Sequence, residues 1–252
     1  MSKQGNRAVF EVGPLYPGYG TTIGNTLRRV LISSLEGSAI TSVKISGVDH
    51  EFSSMDGVKE DVVEIILNLK RVRFKLFGDE PVTLTLKTKG IGDVTAADIK
   101  TTSDVQVINK NQHIATITDK KKELEIELTI EKGIGYIPVE QRHKEKMSVG
   151  EIAVDGIFTP VVNINFTVEN IRVMQRTDYN KVLLDIETDG SVTPEEAFTG
   201  AVDILFKHLE IIRILPGMAS VDSEAEKIED ELISGGEKEE VKPKRGRKKK
   251  TI

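Results

Sequence analysis

The chain contains no cysteine, which excludes disulfides and any thiolate-held metal centre. It has no run of about 18 apolar residues, so no membrane-spanning helix is expected. Its first residues, Met-Ser-Lys-Gln-Gly-Asn-Arg, lack the apolar stretch of a secretory signal, and a cytoplasmic protein is the simplest account. Only four histidines occur, His50, His113, His143 and His208. None stands in a His-x-x-x-His pair or beside a carboxylate cluster with ligand spacing, so all four read as structural or exposed. No serine or threonine has the histidine and acid arrangement of nucleophilic catalysis, and no aspartate cluster of the kind that holds two Mg²⁺ ions is visible. No catalytic residue, metal site or cofactor is therefore expected in this chain.

What is present is an ordinary globular composition, with 252 residues of which 38% are hydrophobic, enough for one large or two modest domains. The net charge of −5 argues against a globally basic nucleic-acid binder, but the charge is unevenly placed. Residues 222–240 are mostly Asp, Glu and Ser. Residues 241–252 carry seven basic residues and no acidic one: Lys242, Lys244, Arg245, Arg247, Lys248, Lys249 and Lys250. Such a cluster is a source of positive potential for DNA or RNA phosphates, with an affinity that falls as salt rises; a merely solvated tail is the plainer reading. From about residue 219 the composition is charged and poor in aromatics, so disorder is expected.

The densest stretch runs from Gly18 to Leu31, GYGTTIGNTLRRVL. Ile23, Leu27, Val30 and Leu31 recur on one helical face, with Thr21 or Thr22 as cap and Gly37 as C-cap glycine of a helix over about 20–35. Arg28 and Arg29 cannot both lie on that stripe. A glycine-rich turn feeding a helix is also a way to cradle phosphate. Here, however, the glycines run G-x-G-x-x-x-G, no Lys-Ser or Lys-Thr follows, and Asp49 and Glu51 are poorly placed for the acidic partner of a dinucleotide site. Tight helix–strand packing is the competing reading of the same glycines.

Further along, residues 8–13 and 39–46 read as strands, and a helix is expected over about 58–70. Its apolar residues are too many for one stripe. Glu60, Asp61 and Glu64 complement its dipole or serve a partner. Residues 72–134 are β-rich; Lys122–Ile130 alternates Leu124, Ile126, Leu128 and Ile130 against Glu123, Glu125, Glu127 and Thr129, the pattern of a half-solvated antiparallel strand. Residues 139–150 read as a loop or short helix. Strands over 161–174 and 181–187 pair across Asp178-Tyr-Asn180. Pro194 opens a last helix with Ala197, Ala201, Ile204, Leu205, His208, Leu209 and Ile212 on its apolar side.

Five ordered blocks carry a resemblance. They are GYGTTIGNTLRRVLISS from Gly18, with GVDHEFSS from Gly47; GVKEDVVEIILNLK from Gly57; GIG and VTAADI from Gly90 and Val94; GYIP from Gly135; and VENIRVMQRTD from Val168, followed by TDG at Thr188 and PEEA at Pro194. Together the chain resembles the amino-terminal domain of the bacterial-type DNA-directed RNA polymerase alpha subunit.

That resemblance implies an α+β fold: a discontinuous α/β dimerisation domain, an antiparallel sheet plus two helices, from about 8–36 plus 161–217. An inserted mainly-β domain would occupy 37–160, and a disordered acidic-then-basic tail 218–252. It implies a homodimer built through Ile23, Leu27, Val30 and Leu31 of the first helix and Ala201, Ile204, Leu205, His208, Leu209 and Ile212 of the last. An obligate interface of this kind buries on the order of 2,000 Å². It also implies contacts with the beta and beta-prime subunits. Arg29 and its neighbour Ile32, with Lys70 and Val154, match family contact positions; Arg28 and Glu64 are further candidates. The chain would be a non-catalytic assembly subunit of a nucleotidyltransferase. Two departures are expected: the family's small helical carboxy-terminal DNA-binding domain does not follow, and before Ala8 either the sheet is one strand smaller or the chain start is incomplete.

Overall fold

The computed structural model describes residues 2–141 and 150–213, residues 2–4 through their backbone only. It is an α+β fold of mostly antiparallel sheets and few helices. In chain order the elements are β1 (Ser2–Gln4), β2 (Arg7–Leu15), α1 (Tyr19–Ser33), β3 (Glu36–Ile45), α2 (Val62–Leu69), β4 (Phe74–Leu76), β5 (Val82–Lys89) and β6 (Gly92–Thr95). Then follow β7 (Ile99–Lys100), β8 (Val105–Val107), β9 (His113–Ile117), β10 (Glu123–Ile134), β11 (Tyr136–Ile137), β12 (Glu151–Ala153), β13 (Gly156–Ile157), β14 (Val161–Val173), β15 (Arg176–Thr188) and α3 (Pro194–Arg213). Two units are distinguished, residues 1–205 and 206–252; the second is described only through the last turns of α3.

The first unit holds two hydrophobic cores. In one, the sheet β1-β2-β15-β14 takes α1 on β14 and β15. Leu27 and Leu31 are buried there against Val182, Leu184 and Ile186, and Ala197 and Ala201 join them. The other is built on the sheet β12-β3-β10-β5-β7, where Ile65 and Leu69 of α2 meet Val43, Leu84, Leu86, Ile126 and Leu128. On the opposite face of that sheet, Glu125 of β10 stands across from Lys87 of β5 and Glu127 from Lys44 of β3. The alternation read in the sequence thus becomes one buried and one charged face.

Several local expectations are corrected. A short β1 pairs with β2, Ser2 opposite Val9, so the sheet has the strand that was in doubt. Helix α1 begins at Tyr19, with Gly18 at its N-cap in the left-handed region (φ 85°) and no side-chain cap of its own; Thr21 and Thr22 lie in its first turn. Gly37 is not a C-cap but part of β3, where a Cβ would come within 1.8 Å of the Phe158 carbonyl oxygen. Helix α2 is shorter than expected and is capped by Asp61, which accepts the Glu64 N–H at 2.7 Å. Strands β14 and β15 turn at Met174 and Gln175, not at Asp178–Asn180, with Val173 opposite Arg176; Met174 itself takes φ 55°.

Helix α3 starts as the sequence predicts. Thr193 and Glu196 form a reciprocal cap: the Thr193 N–H donates to Glu196 Oε2 at 2.8 Å and the Glu196 N–H to Thr193 Oγ1 at 3.2 Å. The tail with Lys242, Lys244, Arg245, Arg247, Lys248, Lys249 and Lys250 lies outside the described residues, as does His143.

Candidate assembly surfaces

The turn entering α1 owes its form to β15. The N–H groups of Gly18 and Gly20 donate to Asn180 Oδ1 at 2.8 and 3.3 Å, and the Tyr19 N–H donates to the Tyr16 carbonyl. Asn180 is held in turn by donating to Asn170 Oδ1, its cross-strand partner, at 2.9 Å. Three of the N–H groups that would cradle a phosphate are therefore already engaged, those of Gly18, Tyr19 and Gly20. The glycines have steric duties instead: a Cβ on Gly20 would lie 2.6 Å from Val168, and one on Gly24 2.6 Å from Phe166. This geometry opposes the nucleotide-loop reading.

On α1, Gly20, Gly24, Leu27 and Leu31 form the buried stripe. Leu27 and Leu31, expected at a dimer interface, face the chain's own sheet, and so does Ala201. One helical face cannot serve both the sheet and a partner. Ile23, Val30, Ile204 and Leu205 are partly buried against the same core. His208, Leu209 and Ile212 are exposed. So is Phe206, which the sequence reading passed over because it sits beside the stripe that was followed. Arg28, Arg29 and Ile32 project outward from α1.

A second region forms around the end of α2. An open groove of about 230 Å³ is lined by residues that include Phe52, Val63, Ile66, Leu67, Lys70, Val139, Ala153, Val154 and Asp155. Val63, Ile66, Leu67 and Lys70 follow a helical i, i+3, i+4, i+7 pattern, and Glu64 is not among the lining residues. Val154 is only 3% exposed and belongs to the core, its N–H donating to the Thr41 carbonyl. It lines the groove as an almost fully buried residue and offers little surface to a partner. Asp155, which sequence reading missed, lies 3.2 Å from Lys70 Nζ.

The two regions adjoin through Gly135 and Tyr136. The position of a Cβ on Gly135 is 3.2 Å from the Ser33 carbonyl at the end of α1, and β11 pairs with β13 just beyond Asp155. Gly135 thus brings the end of α1 beside β11, whose partner β13 follows Asp155 in the chain.

Glu60 has an inward task. Its carboxylate accepts the Thr116 N–H at 2.6 Å and lies 3.1 Å from His113 Nε2. Burial opposes its charge, yet these hydrogen bonds outweigh it and hold the carboxyl below its ordinary value. Asp61, as the α2 cap, is similarly committed. Among the described residues there is no group of three or more metal-ligating side chains, and no helix is long and apolar enough to cross a membrane.

The RNA polymerase Rpb3/RpoA insert domain family matches residues 43–159. The DNA-directed RNA polymerase subunit alpha of Alkaliphilus oremlandii is 47% identical over 222 residues, 88% of this chain and 70% of that protein. The subunit alpha of Symbiobacterium thermophilum is 45% identical over 232 residues, 92% of this chain and 73% of its own length. That of Roseiflexus castenholzii is 47% identical, covering 82% of this chain and 64% of the relative. With an α+β fold, an insert-domain match and this likeness across most of its length, the chain belongs to the DNA-directed RNA polymerase alpha subunit family.

Proposed function

We propose that two copies of this chain pair through their first and last helices and then seat the beta and beta-prime subunits, so that the chain is the non-catalytic assembly platform of a nucleotidyltransferase. The observation that carries this reading is at the end of α3, where Phe206, Leu209 and Ile212 are 62%, 60% and 74% exposed. Three large apolar side chains within two turns of one helix call for cover. A second copy supplies the same surface, the simplest self-complementary arrangement.

Native mass spectrometry across a concentration series tests the pairing. The chain is expected as a dimer, and Phe206→Glu or Leu209→Glu as a monomer that still folds, since both positions are exposed. A monomeric parent chain at micromolar concentration would overturn the pairing.

The same reading makes the two cores two domains, the α1–α3 core for dimerisation and the α2 core as the insert. Arg28, Arg29, Ile32 and Lys70 form the large-subunit surface, and neither catalytic residue nor cofactor is required of this chain. It operates in the cytoplasm. The basic tail adds weak, non-specific DNA contact; removing residues 241–252 is expected to lower DNA affinity at low salt, and unchanged affinity would refute that part. A stand-alone dimeric scaffold is the competing reading, and capture of the tagged chain from its host separates the two: two copies with two much larger subunits support assembly, a lone dimer the scaffold.

A further inference from the structure

We propose that Asp155 is a positioning residue of the large-subunit surface, holding the Lys70 ammonium at the groove and fixing the segments that line it. This rests on the reading of Lys70 as a large-subunit contact. Asp155 lies in the short connection between β12 and β13, and its two oxygens have separate tasks. Oδ2 is 3.2 Å from Lys70 Nζ. Oδ1 accepts the Val139 N–H at 3.1 Å. The Tyr136 hydroxyl also engages the carboxylate; its proton is held above the ordinary tyrosine range first by partial desolvation and then by the charge and hydrogen bond of Asp155. One side chain therefore ties together the end of α2, the segment after β11 and the β12–β13 connection, all of which border the groove.

The arrangement has a consequence for binding. A lysine at a helix end has a flexible four-carbon stem, and ordering it on association opposes binding. Here the ammonium is ordered beforehand. Its side chain is 22% exposed and that of Asp155 34%, so the pair is partly withdrawn from water while remaining within a partner's reach. The Val139 N–H is the principal influence holding the Asp155 carboxyl below its ordinary range, with Lys70 acting in the same direction against partial burial. The carboxylate thus stays charged at neutral pH. A partner meets a fixed charge pair and not a free cation.

Asp155→Asn separates the two tasks. Asn retains an acceptor for the Val139 N–H but loses the charge that holds Lys70. Two quantities are measured on the full chain: the initial rate at which an amine-reactive acetylating reagent modifies Lys70, read by peptide mass spectrometry, and affinity for the purified beta subunit. The expected result for Asp155→Asn is several-fold faster modification and about tenfold weaker binding, with Lys70→Met weakened about as much and the double variant no weaker than either single one. Lys70→Arg, which leaves Asp155 untouched and can still pair with it, is expected to bind within about twofold of the parent. Unchanged modification and binding in Asp155→Asn, with Lys70→Met impaired, would overturn the positioning role alone. So would a Lys70→Arg loss equal to that of Lys70→Met. Normal binding by Lys70→Met would overturn the contact reading itself.

Discussion

The ring of Phe166 occupies the space that a side chain on Gly24 would need: a Cβ built there lies 2.6 Å from Phe166 Cδ2 and 2.9 Å from Cε2. The helix approaches β14 this closely only because residue 24 has no Cβ. Gly24→Ala is therefore expected to destabilise the chain, by about 1–3 kcal/mol for an overpacked core site, despite alanine's better helix propensity. Phe166→Leu in the same chain should recover part of the loss. Urea unfolding of the two single variants and the double variant measures this; additive losses would show that Phe166 is not the obstacle.

A second relationship, between Asn180 and the first turn of α1, sets the helix start. Removing the side chain in Asn180→Ala would leave two N–H groups of the helix start without their acceptor, that of buried Gly20 and that of exposed Gly18. The expected cost is about 1–3 kcal/mol, since water can replace the bond at exposed Gly18 but not fully the one at buried Gly20. Asn180→Asp keeps an acceptor at the positive end of the helix dipole but loses the donor to Asn170, so it should fall between alanine and the parent chain. Equal stability of Asn180→Ala and the parent in chemical denaturation would contradict the capping role.

These two contacts also show what a sequence can and cannot reveal. The stripe of Leu27 and Leu31, the alternation of Leu124 to Ile130 and the start of α3 at Pro194 depend on neighbours within a few positions, and all were legible. The α1 cap was not, because its acceptor lies 160 residues from Gly20. Gly37 looks like a helix stop until Phe158 is placed across from it, and Glu60 looks like a free acid until Thr116 is. The β14–β15 turn misled for another reason: Met174 and Gln175 carry no turn signature, whereas Asp178-Tyr-Asn180 does. On the surface, identities pointed to Lys70, but only the fold could show Asp155 beside it, Val154 almost fully buried and Glu64 absent from the groove's lining.

The cap of α3 offers a contained test. Thr193→Ala removes the acceptor for the Glu196 N–H and is expected to cost about 1 kcal/mol. Glu196→Gln retains the back-bond to the Thr193 N–H but loses its charge near the helix start, and should cost less. Thermal unfolding by circular dichroism checks the order; a larger loss in Glu196→Gln than in Thr193→Ala would reverse the assignment.

Glu60 should make stability depend on acid in a defined sense. Its side chain is 11% exposed, and the N–H and hydroxyl of Thr116 both reach its carboxylate, at 2.6 and 3.1 Å. The nearby Asp93 Oδ1 also lies within 3.2 Å of that hydroxyl, which has one proton to give, so the backbone N–H is the dependable donor. Because the folded carboxyl is held below its unfolded value, folding favours the charged form. The contribution is complete above the ordinary glutamate range, about pH 4.3, and is lost as pH falls through that range to the lowered folded value. Glu60→Gln should cost about 1–3 kcal/mol at pH 7, the range for hydrogen bonds to a charged group in a shielded site. The gap between the two proteins should then narrow steadily below about pH 5. Urea unfolding at a series of pH values measures it. A gap that stays constant from pH 7 to pH 3 would mean that the Glu60 charge does not contribute to anchoring the segment before α2, and that His113 and Thr116 are neighbours without this energetic role.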